Sequence, residues 1–76
     1  MRSFNDIAHE MLNIPSETIK DSLTPQDVPN WVSMNYLLFI AELEKEFNVT
    51  FTMDEVLSAQ SLGAVRTTLR GKGAAV

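Results

Sequence analysis

The stretch Ser33-Met34-Asn35-Tyr36-Leu37-Leu38-Phe39-Ile40-Ala41-Glu42-Leu43-Glu44-Lys45-Glu46-Phe47 contains no glycine or proline and consists largely of good helix formers. At about 100° per residue, Tyr36, Ile40, Leu43 and Phe47 fall on one narrow face, flanked by Leu37 and Phe39. The spacing therefore predicts a helix over Ser33 to Phe47 with that face turned to a core. Met34, Leu38 and Ala41 line up on the opposite side, near Lys45. Two readings of this second strip stand: the helix buries two faces in a small bundle, or the strip is a docking face beside Ser33, rimmed by Glu42 and Glu44.

Toward the N-terminus, Phe4, Ile7, Ala8, Met11 and Leu12 share one helical face, which predicts a first helix over Phe4 to Asn13 stopped by Pro15. Ser16 to Trp31 carries Pro25 and Pro29 and reads as a long ordered loop, with Ile19, Leu23, Val28 and Trp31 available to anchor it. Beyond a turn at Asn48, Val49 to Thr52 alternates like a strand without a partner and is expected as an extended link. Met53 to Leu57 forms a short helix opened by Thr52, and Ser61 to Leu69 a last one with Leu62, Val65 and Leu69 inward. The expectation is an all-α bundle of three main helices and a short one, with one domain over residues 1–70 and a flexible tail over 71–76.

A chain of 76 residues buries only roughly 60% of the surface its unfolded form exposes, too little to support an elaborate catalytic pocket. Binding or carrying is favoured over catalysis. Hydrophobic content of 45% with 21% charged residues belongs to a folding globular chain. No apolar run approaches a membrane span and no apolar signal core follows the N-terminus, so a cytoplasmic protein without membrane insertion is expected. The absence of cysteine excludes disulfides and thiolate chemistry by the chain itself, and the single histidine, His9, cannot build a metal site alone.

The net charge of −4 conceals an asymmetry: all ten acids lie between Ser3 and Val65, opposed there only by Lys20 and Lys45, while Arg2, Arg66, Arg70 and Lys72 stand outside. Such an acidic body repels phosphate backbones and disfavours nucleic acid. Basic protein partners fit it better.

Ser33 opens the decisive helix, where serine commonly serves as the N-cap. The same position suits a phosphate ester, because the helix dipole and the first N–H groups stabilise an anion there. No histidine or acid adjacent in sequence activates the hydroxyl, so hydrolase chemistry is not expected. If Ser33 reacts, another enzyme does the activating.

Asp21-Ser22-Leu23-Thr24, then Trp31-Val32-Ser33-Met34-Asn35-Tyr36-Leu37, then Leu43-Glu44-Lys45-Glu46-Phe47-Asn48-Val49-Thr50-Phe51, and finally Ser61-Leu62-Gly63-Ala64-Val65 together resemble the acyl carrier protein family. The resemblance spans Phe4 to Leu69, with the hydroxyl-to-Phe47 spacing and Leu-Glu-x-x-Phe as its specific parts. It implies an acyl-carrier-like four-helix bundle with a long loop between its first two helices. A phosphopantetheinyl transferase would place 4'-phosphopantetheine from coenzyme A on Ser33, and the arm's thiol would hold an acyl group as a thioester.

Acyl-transferring or condensing enzymes would then be the partners of a monomeric, non-enzymatic carrier serving fatty acid, polyketide or specialised lipid biosynthesis. Leu37, Phe39, Ile40 and Val56 would line the acyl chain's route into the bundle, although core packing explains each equally well. Two departures stand out. Val32 replaces the aspartate that usually precedes the modified serine, and Leu38 and Lys45 occupy positions where many such carriers have acids, which shifts docking from charge toward apolar contact. A carrier-fold interaction module without the arm, and a carrier of aminoacyl or peptidyl groups, remain the alternatives.

Overall fold

The computed structural model describes residues 2–76 and contains four α-helices in chain order: α1 (Phe4–Leu12), α2 (Ser33–Phe47), α3 (Met53–Ser58) and α4 (Leu62–Gly71), with one 3-10 turn at Ser16–Thr18. This is the all-α arrangement expected from the hydrophobic periodicity. Among the described residues no helix is long and apolar enough to cross a membrane.

Each short helix begins where side chains satisfy its free N–H groups. Ser3 and Asp6 form a reciprocal capping box at α1, Thr52 and Glu55 another at α3, and Ser61 accepts from the Ala64 N–H at α4. The first helix ends one residue earlier than expected, and not at Pro15. Asn13 adopts a left-handed conformation (φ 53°) that terminates it, and Asn48 (φ 55°) closes α2 in the same way.

Phe4, Ile7 and Leu12 from α1, Phe39, Ile40 and Leu43 from α2, Val56 from α3, and Leu62, Val65 and Leu69 from α4 converge in one core, with Phe4 edge-on to Phe39 at 5.8 Å. The inward face of α2 is rotated from the predicted stripe. Phe39, Ile40 and Leu43 are buried, Tyr36 and Phe47 only partly, and Leu37 is exposed. Periodicity placed the apolar sector but not its centre, because neighbours on three sides decide which part is covered.

The Ser16 to Trp31 loop is ordered by what it bonds to. Val28 and Trp31 are buried, Ile19 and Leu23 pack against the core, and the Thr24 N–H and hydroxyl both donate to Asp27. The carbonyls of Leu23 and Asp21 accept from the N–H groups of Leu62 and Gly63 at 3.0 and 2.9 Å, so the loop covers the start of α4. Gly63 allows this approach. A Cβ there would sit 2.9 Å from Asp21 Cβ and 3.0 Å from its carbonyl oxygen. The stretch expected as a tail begins within α4, and Ala74 and Val76 lie half-buried against the core.

Candidate functional site

Ser33 is the first residue of α2, and the N-cap is Val32, whose apolar side chain offers no hydrogen bond to the helix. This corrects the reading of Ser33 as a cap. Its hydroxyl is exposed and has no hydrogen-bond partner among the described residues. The serine thus stands at the positive end of a 15-residue helix whose first N–H groups lack a side-chain cap. An anion held there would take the place of the missing cap.

Two apolar grooves meet at this serine. One, about 280 Å³, extends along Trp31 and Val32 to Leu57, Ala59 and Gln60; the other, about 200 Å³, extends to Leu37, Met53 and Leu57. Tyr36 and Val56 line both. The Tyr36 hydroxyl donates to the Val56 carbonyl at 2.6 Å, and Trp31 stacks on the Tyr36 ring at 5.6 Å. Burial pushes the Tyr36 phenol above its ordinary value, which keeps it a neutral donor.

Neither groove is lined by a histidine, lysine or carboxylate. Nothing there can take the Ser33 proton. His9 lies on α1 with its Nδ1 2.7 Å from the Ile14 carbonyl, an interaction in which the nitrogen donates.

Of the residues expected to line a chain route, Leu37 and Val56 reach the grooves. Phe39 and Ile40 do not, because both are buried in the core. Tyr36, Met53, Leu57 and Ala59 were missed. Leu57 and Met53 carried a usable signal: on a helix with Val56 inward, two further large apolar residues have no core to enter.

Met34, Leu38 and Ala41 form an exposed strip on α2 beside Ser33. The two acids expected at its rim are engaged within the molecule. Glu42 pairs with Arg2, which also contacts Glu10 at 3.0 Å and Glu46 at 3.3 Å, and the Glu44 carboxylate accepts from the Phe51 N–H at 2.7 Å. Val32, Met34, Leu37, Leu38, Met53 and Leu57 are the large apolar residues left most exposed among those described, and all lie on or next to α2 and α3. The surface around Ser33 is therefore apolar, with little free charge.

No protein-family model matches this chain, and no curated protein does. Nine chains of solved structures match it. One is a candidate acyl carrier protein from Mycobacterium tuberculosis, at a TM-score of 0.80 and 20% identity, with 90% of each chain covered. The chain therefore has the acyl carrier protein fold.

Proposed function

We propose that this chain, built on the acyl carrier fold, is a carrier whose Ser33 hydroxyl forms the phosphate ester of a 4'-phosphopantetheine arm. The observation that carries the reading is the exposed, unpartnered Ser33 hydroxyl at the start of α2, between two apolar grooves and without a base. A serine with that surrounding is a substrate for another enzyme. The arm supplies the thiol that a chain without cysteine lacks, and it carries an acyl group as a thioester. A phosphopantetheinyl transferase and acyl-transferring or condensing enzymes are the partners of this cytoplasmic, monomeric carrier. Fatty acid, polyketide and specialised lipid synthesis are the pathways that use such a carrier, and aminoacyl or peptidyl cargo uses the same attachment.

Met34, Leu38 and Ala41 give partners an apolar surface, with Lys45 beside it and with Glu42 and Glu44 turned to contacts inside the molecule. Docking on this face is accordingly less sensitive to salt than docking led by acids. The test is intact-mass measurement of the apo protein after incubation with coenzyme A and a broad-specificity transferase. We expect a gain of one phosphopantetheine that disappears in Ser33→Ala. Failure with every transferase, the host's own included, overturns the carrier reading.

Val32 supports a second reading, an interaction module that kept the fold and lost the arm. Protein purified unmodified from its native cells, with a partner bound through Leu38, favours that reading; predominantly modified protein removes it.

A further inference from the structure

The two grooves at Ser33 share a wall made by Tyr36 and Val56, and the Tyr36 to Val56 contact is, among the described residues, the one hydrogen bond joining α2 to α3. Val56 lies in the last turn of the six-residue α3, where carbonyls have no partner within the helix. Tyr36 supplies that partner. Trp31, itself buried, stacks on the Tyr36 ring and holds it against α3.

The core next to the grooves is closed. Phe39, Leu43, Leu62 and Val65 have no exposed surface, and none of them lines either groove. A flexible chain held at Ser33 that enters that interior between Tyr36 and Val56 has to part α2 from α3. Doing so leaves the Val56 carbonyl and the Tyr36 hydroxyl without partners at a partly dry site, a cost that a chain lying outside the bridge avoids. Leu37, Met53 and Leu57 already offer such a chain exposed apolar cover.

We propose that Tyr36 is a specificity-determining residue: its bridge to Val56 keeps cargo in the surface grooves beside Ser33, so that the site favours short acyl chains over long saturated ones. This inference rests on the carrier reading of Ser33. The test loads the protein with butyryl, octanoyl, dodecanoyl and hexadecanoyl phosphopantetheine from the corresponding coenzyme A thioesters. Thermal midpoint and the emission of Trp31, the single tryptophan, are then read for wild type and Tyr36→Phe. The phenylalanine keeps the ring that Trp31 stacks on and removes only the bridge; Tyr36→Leu serves as a second opening variant.

A parallel arm uses Ser33→Cys, the only thiol in the chain, treated with butyl to hexadecyl methanethiosulfonates. The cysteine thiolate attacks the sulfenyl sulfur, a mixed disulfide forms, and methanesulfinate leaves. This arm needs no transferase, so failed enzymatic loading counts against the carrier reading while the cysteine series still decides the role of Tyr36. We expect the midpoint gain and the Trp31 emission change to stop at the octyl length with Tyr36 present, and to continue to hexadecyl in the opened variants. A steady rise through hexadecyl in wild type, or the same plateau in all variants, overturns the proposal.

Discussion

Val32 occupies the N-cap of α2 as a residue 54% exposed, where an oxygen-bearing side chain would satisfy one of the first N–H groups. Because it is not packed in the core, replacing it costs little. Val32→Asp is expected to raise the stability of the apo protein by about 1 kcal/mol, from the cap and from a negative charge at the positive helix end. Urea unfolding checks this, and an unchanged midpoint would mean that solvent already satisfies the helix start fully. The arm's phosphate reaches the same helix end, so modification should stabilise wild type more than Val32→Asp. Comparing unfolding midpoints of apo and modified forms of both variants tests that difference.

Between elements, the long loop approaches α4 closely. Asp21 is held twice, by its carbonyl to the Gly63 N–H and by its carboxylate to Arg66 Nε at 2.9 Å. Arg66 also donates to Asn5 and lies 4.3 Å over the Phe4 ring, so α1, the loop and α4 meet at one guanidinium. Gly63→Ala pushes a methyl group against the Cβ and carbonyl oxygen of Asp21. Its expected cost is about 1–3 kcal/mol for overpacking, offset in part by the better helix propensity of alanine. Thermal unfolding measures the net loss, and an amide exchange experiment should show Leu62 and residue 63 losing protection first. A neutral Gly63→Ala would mean that the loop is easily displaced.

Across the whole molecule, the charge asymmetry of the sequence is folded back on itself. Arg2 spans α1 and α2 through Glu10, Glu42 and Glu46, Lys72 reaches Glu55 at 2.8 Å, and Arg66 meets Asp21. Hydrogen bonding from Arg2 holds the Glu42 carboxyl below its ordinary value of 4.5, and bonding from Lys72 does the same for Glu55. Carboxylates depressed in this way stabilise the fold at pH above their unfolded values, and that contribution disappears as pH falls through the folded ones. Unfolding midpoints should therefore drop on acidification below about 4.5, and the drop should be shallower in Arg2→Met and Lys72→Met. Added salt should narrow the difference between these variants and wild type, because all these pairs are partly exposed. Equal pH profiles would assign the acid sensitivity to other carboxylates.

Much of this architecture was legible in the chain. Apolar spacing located all four helices to within about two residues, the scale on which helix ends are ambiguous anyway, and Thr52 marked the start of α3 through side-chain capping. Those are local properties, set by a period of 3.6 residues and by hydrogen bonds three residues apart. Ser33 was also legible as a serine opening a helix. That it is the first helical residue with a free hydroxyl, and not the cap, depended on backbone angles at Val32 that residue type does not fix. The Tyr36 bridge, the grooves beside Ser33 and the turning inward of Glu42 and Glu44 likewise came only from tertiary structure, since each joins residues 7 to 40 positions apart. Sequence determined which segments coil and which of their faces are apolar; packing decided which of those apolar residues stay outside, because the core of so small a domain is filled before α2 and α3 are fully covered.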